Sequence, residues 1–131
     1  MYSCILLLFN CALTLGVGVY YPADGTLVLP NSTISSMYHL TNALSAGSKD
    51  VYVYVEPGHT LVHESHRPFN GDLSERFNIT TPSVEGPFAI VYYDFIVAGV
   101  QNWPSVTVTT VGLYVTSVIP TPTAIPTPVY R

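Results

Sequence analysis

Apolar and polar residues alternate with a period of two through much of this chain, and that period predicts strands. It is cleanest from Val51 to Val55, where three valines share one face and Tyr52 and Tyr54 share the other. Pro57-Gly58 then turns the chain, and Thr60 to His63 runs back as a hairpin partner. Shorter strands are expected at Thr26 to Leu29, ended by Pro30, at Ser32 to Leu40, and at Arg76 to Thr80, stopped by Pro82. Phe88 to Val97 is apolar on both faces, as in a central strand covered on each side. Val106 to Val118 is the longest run and is rich in β-branched residues. Its apolar parity changes at Thr109-Thr110, with Val106 and Val108 on one side of the change and Val111, Leu113 and Val115 on the other. A bulge there, beside Gly112, would restore a single apolar face. Thr41 to Ala46 is the one weak helical candidate.

The expected fold is all-β: a single antiparallel, immunoglobulin-like β-sandwich of about seven strands. It is expected to be disulfide-free, because Cys4 and Cys11, the only cysteines, both lie in the amino-terminal segment read below as a cleaved export signal. The core must then come from the two inner faces. Its candidates are Leu27, Val53, Val55, Phe77, Ile90, Tyr92, Val106, Val111, Leu113 and Val115. Each large side chain buried there stabilises the fold by about 1.5–3 kcal/mol.

Composition and the termini add a compartment. Ile5 to Phe9 and Ala12 to Val19 are apolar, and no charged residue occurs before Asp24. This reads as a signal peptide over residues 1–18, with Gly16 and Gly18 allowing a cut near Gly18-Val19. The n-region lacks Lys and Arg. Residues 19–119 form the sandwich domain, leaving no membrane span in the mature chain. Residues 120–131, PTPTAIPTPVYR, form an extended Pro/Thr-rich tail suited to O-glycosylation. Two sequons, Asn31-Ser-Thr and Asn78-Ile-Thr, predict glycosylated, solvent-facing asparagines in a secreted, extracellular protein.

The net charge is −4, and the four Lys/Arg are scattered. Nucleic acid is therefore excluded as an expected partner, since phosphate binding needs clustered positive charge. No nucleophile elbow, phosphate loop or nucleotide fingerprint is present, so neither an enzyme nor a cofactor is expected. His59, His63, Glu64 and His66 are the one cluster with metal chemistry. In an extended segment His59 and His63 share a face and Glu64 and His66 share the other. A loop or hairpin could bring three ligands to Zn²⁺ or Cu²⁺, although the spacing is not that of a helical metalloprotease. Asp94 shares parity with Ile90, Tyr92 and Ile96 and so must be hydrogen-bonded or paired inside, with Arg76, a tyrosine hydroxyl or a loop amide as candidates. A glycosidase pair would need Glu56, Glu64 or Glu85 across a cleft from it. Trp103, before the last strand, either plugs one end of the sandwich or offers a sugar-stacking face.

Tyr21-Pro-Ala-Asp-Gly-Thr26, followed by Val28 and Pro30, resembles the first strand of small secreted fungal proteins with an immunoglobulin-like sandwich. These include Kre9/Knh1-type cell-wall modules and basidiomycete secreted proteins. The chain departs from the wall modules in having Asn31 after Pro30 and no Trp on the second strand. The resemblance implies the fold, export and a fungal wall setting, and it carries no catalytic residue. The resulting expectation is a secreted, glycosylated, non-enzymatic surface or cell-wall-associated module. Its partner would be a wall polysaccharide or an extracellular protein, contacted through Tyr52, Tyr54 and Trp103. Tyr92, Tyr93 and Tyr114 are further aromatic candidates. The alternative is a metal-dependent protein using the His59–His66 loop.

Overall fold

The computed structural model describes residues 17–40, 42–43, 46–66, 74–98 and 103–118, with backbone alone at 42, 43, 46, 98 and 103. The predicted export segment as far as Gly16, the tail from Pro120 and the Trp103 side chain lie outside these residues. Among the described residues nine strands follow one another: β1 (Gly18–Tyr21), β2 (Thr26–Val28), β3 (Thr33–His39), β4 (Asn42–Ala43), β5 (Ala46–Glu56), β6 (Thr60–His66), β7 (Ser74–Thr80), β8 (Gly86–Ala98) and β9 (Trp103–Val115). No helix occurs among the described residues, and within the weak helical candidate Asn42–Ala43 form β4 and Ala46 opens β5.

The strands form two sheets, one ordered β1-β3-β7 and the other β2-β9-β8-β5-β4, with β6 also paired to β5. Antiparallel pairing dominates, but β2 joins β9 in parallel, with Thr26 opposite Leu113. The two strands beyond the expected seven, β1 and β4, are too short for a period-two pattern to register.

Period-two alternation places Val51, Val53 and Val55 of β5, Phe88, Ile90 and Tyr92 of β8, and Val111, Leu113 and Val115 of β9 inside. Tyr38 and Ile79 meet them from the three-stranded sheet, and Phe77 packs at the margin. The Ser36 and Tyr92 hydroxyls bond across the sheets at 2.7 Å, satisfying two buried polar groups with each other.

Three expectations about the core are corrected. Leu27 is exposed, because Val28 is the residue of edge strand β2 that turns inward. Val106 and Val108 are exposed at 49% and 54%. There is no bulge at Thr109-Thr110, since β8 and β9 pair in unbroken register from Gly86–Val115 to Ala98–Trp103. The change of parity marks instead where the outer face of β9 becomes apolar. The outer face of β8 is also less covered than a doubly buried strand would be, for Tyr93 is half-buried and Phe95 exposed.

Gly112 has a different role from the one the expected bulge gave it. Its N–H donates to Asp24 Oδ1 at 2.7 Å, and its carbonyl accepts from the Gly25 N–H at 2.7 Å. A Cβ at position 112 would sit 3.2 Å from that Asp24 oxygen. Gly25 turns with φ +84°, and the Thr26 hydroxyl donates to the Ala23 carbonyl at 2.6 Å. The Ala-Asp-Gly-Thr motif is thus the turn that docks β2 on β9. Asp24→Ala should lower stability by about 1–2 kcal/mol, read as a drop in melting temperature, whereas Asp24→Asn keeps an acceptor and should lose less.

Candidate functional site

The β5–β6 hairpin and β8 build the site on the outer face of the six-stranded sheet. Tyr52 lies opposite Tyr93 in the β5–β8 ladder, with Tyr54 two residues along β5 and Phe95 two residues along β8. Their inward neighbours are core residues, so period two obliges these rings to face out. Tyr54 and Tyr93 meet edge to face at 5.6 Å between centroids, as do Tyr52 and Phe95. Together with His59 these four rings line an open cleft of about 420 Å³.

His59 enters the cleft from the turn. Gly58 has φ +107° and His59 has φ +50°, a left-handed backbone that costs a non-glycine residue energy. Several contacts hold it there. Its backbone N–H donates to Glu56 Oε2 at 3.0 Å, its ring Nδ1 contacts the other carboxylate oxygen, and its ring stacks on Tyr54 at 4.0 Å and 9°. The result is a fixed imidazole lying flat against one face of a tyrosine.

The opposite end of the cleft is bordered by His66. Its Nδ1 lies 2.9 Å from Asp50 Oδ1 and its Nε2 lies 3.4 Å from Glu64 Oε2. Its ring stands edge-on to Tyr52 at 5.4 Å. The Asp50 hydrogen bond, with help from Glu64, raises the His66 pKa above its ordinary value. Partial burial and the same two carboxylates raise that of the Tyr52 phenol. The raised His66 pKa adds stability that is fully present below about pH 6.5 and is lost as pH rises through the folded value. Asp50→Asn should therefore melt below the parent at about pH 5.5 and converge with it at alkaline pH. A gap that stays constant across that range would contradict the assignment.

The expected metal set does not assemble. The predicted facing of His59 and His63 assumed an unbroken strand. The turn throws His59 outward, and β6 carries an extra residue at Val62, between the pairs Val53–His63 and Tyr54–Leu61. His63 consequently points between the sheets. It stacks on Phe77 at 4.3 Å, and its Nε2 lies 3.1 Å from the Tyr38 hydroxyl and 3.3 Å from Glu75 Oε2. The Tyr38 and Ser65 hydroxyls donate to Glu75 at 2.6 and 2.7 Å. Burial and the Glu75 carboxylate push the Tyr38 phenol well above its ordinary pKa, so it remains a donor. This network ties edge strand β6 to β3 and β7. Glu64 and His66 do share the outer face, as their parity predicts. Among the described residues, no group of three or more His, Cys, Asp or Glu could hold a metal ion.

The carboxylates that a glycosidase pair would need across a cleft from Asp94 are separated from it. Asp94 is fully buried on the inner face and accepts a hydrogen bond from the Ser48 hydroxyl at 2.9 Å. Ser48 was not among its expected partners, and Arg76 is exposed on β7. Glu56 and Glu64 border the opposite side of that sheet, while Glu85 accepts from the Ser117 N–H at 2.7 Å. Tyr92 is buried and leaves the list of contact tyrosines, whereas Tyr114 is exposed on β9. Asn31 and Asn78 are both exposed at the three-stranded sheet, the Ser35 hydroxyl donating to Asn78 Oδ1 at 2.9 Å. His59, Tyr93 and Phe95 join Tyr52 and Tyr54 in the cleft. Sequence reasoning omitted Phe95; its parity with Tyr93 on β8 was the available signal.

No family model matches the chain, and no curated protein does. Among solved structures, it is similar to a fibronectin(III)-like module of Clostridium thermocellum CbhA, with a TM-score of 0.50 and 13% identity. The match covers 76% of this chain and 96% of that one. At that identity the likeness speaks for the fold alone, and it supports neither the Kre9/Knh1 resemblance nor a fungal source. The chain carries an immunoglobulin-like β-sandwich, the fold it shares with that module.

Proposed function

We propose that the protein is a secreted, glycosylated, non-enzymatic binding module that holds a cell-surface or wall polysaccharide on the outer face of its six-stranded sheet. The observation that carries this reading is the cleft of Tyr52, Tyr54, Tyr93 and Phe95 around a clamped His59. Aromatic rings bind sugars through their apolar faces without needing charge, and three phenolic hydroxyls supply hydrogen bonds. Among the described residues, no helix is long and apolar enough to cross a membrane.

An extracellular protein is the second reading. Leu61, Val106, Val108 and Tyr114 extend the exposed apolar surface across β6 and β9 beyond the aromatic rings, as protein contact patches do. Depletion of the secreted protein by insoluble chitin, β-glucan and cellulose separates the two. Binding to a polymer supports the first reading; binding to none favours the second.

The strand pattern also refines where export processing should occur. Val17 is buried in the core, its carbonyl accepts from the Thr109 hydroxyl at 3.2 Å, and β1 begins at Gly18. A cut between Gly18 and Val19 would remove both residues, whereas a cut after Gly16 leaves β1 whole. Amino-terminal sequencing of the secreted protein should therefore begin at Val17. A start at Val19 would mean that the first strand is dispensable.

A further inference from the structure

We infer that the ligand segment in the cleft is an uncharged, extended glycan lying along β5, an inference that rests on the binding-module reading above. Among the described residues the cleft is lined by three tyrosines, a phenylalanine and a histidine, with neither a carboxylate nor a Lys or Arg among them. Acidic groups do border it, but each is already engaged. Glu56 holds His59, while Asp50 and Glu64 share His66. A polycationic ligand would have to compete with those histidines for every carboxylate.

A polyanion fares no better. The one Lys or Arg in β5, β6, β8 and β9 is Lys49, exposed where the β5–β8 register shifts between Ser48 and Asp50. A ligand of hydroxyl groups faces neither problem. It can lay apolar faces on the rings, exchange hydrogen bonds with the phenols, and bond to paired histidines and carboxylates without displacing either.

Length supplies the second part of the inference. The two histidine–carboxylate pairs stand at opposite ends of the Tyr52–Tyr54 row. Asp50 and Glu56 are six residues apart on β5, which an extended strand spans in about 20 Å. Both ends can be touched at once only by a chain of several sugar rings. A single sugar reaches one end.

The test uses the secreted, glycosylated full chain. Its depletion by chitin is compared with depletion by chitosan, the same polymer with free amines, and by alginate, a polyanion, at low and at molar salt. Soluble oligosaccharides from one to six residues then compete for the site. The inference expects preference for the uncharged polymer, affinity changed by less than about twofold by salt, and competition that strengthens with length. Preference for chitosan or alginate with a steep salt dependence would overturn it while leaving the binding-module reading in place. So would a monosaccharide that competes as well as a hexamer. Binding to none of the three, nor to β-glucan or cellulose, would overturn the inference together with the polysaccharide reading. Tyr54→Ala keeps the net charge and should lose about tenfold or more in binding to the neutral polymer. Unchanged binding in that variant would place the ligand elsewhere and overturn both.

Discussion

Tyr92→Ala is expected to destabilise the protein by about 3–5 kcal/mol, the range for removing a large buried aromatic side chain. Tyr92 has no exposed surface, and it packs edge to face against Tyr38 at 5.7 Å and Phe77 at 6.3 Å across the sandwich. The loss is a large fraction of the roughly 5–15 kcal/mol that a domain of this kind has in total. Each kcal/mol lowers the melting temperature by about 4–8 °C at this size, so the variant should melt far below the parent or fail to accumulate. Tyr92→Phe isolates the hydroxyl. It leaves the Ser36 oxygen buried without its 2.7 Å partner and should cost about 1–3 kcal/mol. Adding Ser36→Ala removes the orphan and should restore part of that loss. A double variant no more stable than Tyr92→Phe would show that this bond is not what joins the sheets.

The second large effect falls on binding. Tyr54→Ala takes away the floor on which His59 stacks and one wall of the cleft that meets Tyr93. An aromatic contact surface of this kind contributes about 1.5–3 kcal/mol, so polysaccharide binding should weaken by about ten- to a hundredfold. The fold should survive, because Tyr54 faces outward while Val53 and Val55 hold the core. Thermal melts and binding isotherms on the same preparation check both halves. A stable variant with undiminished affinity would remove the cleft from consideration.

How much could be read in the chain follows from which signals are local. Val51, Val53 and Val55 alternate without interruption, so β5 and its outward tyrosines were legible directly. The inward parity of Asp94 was legible for the same reason. The slip at Thr109-Thr110 misled because a strand can be apolar on both faces for different reasons, one for a core and one for a contact surface. Val106 and Val108 lie on the exposed outer face, and nothing in β9 alone distinguishes that pattern from a bulge. His59 and His63 were placed on one face by counting residues through a segment that contains both a left-handed turn and the extra residue at Val62. Parity carries no information across such breaks.

The same limit hid the cleft. Phe95 and Tyr93 meet Tyr52 and Tyr54 because β5 and β8 are neighbours in register, a pairing that joins residues some forty positions apart. Strand pairing of that range is set by the whole core and not by any short pattern. The docking turn at Asp24 shows the reverse case. Its motif was visible in the chain, but its purpose depended on Gly112, distant in sequence and hydrogen-bonded to it in both directions.

The place where the ligand sits on the protein decides between these readings. Backbone amide chemical shifts of the ¹⁵N-labelled protein, followed while a soluble oligosaccharide of the polymer that depletes the protein is added, test that most directly. The predicted result is a set of shifts concentrated on Tyr52, Tyr54, His59, Tyr93 and Phe95, with β3 and β7 unmoved. Shifts confined to the three-stranded sheet would contradict the account, and so would an unperturbed spectrum at saturating oligosaccharide.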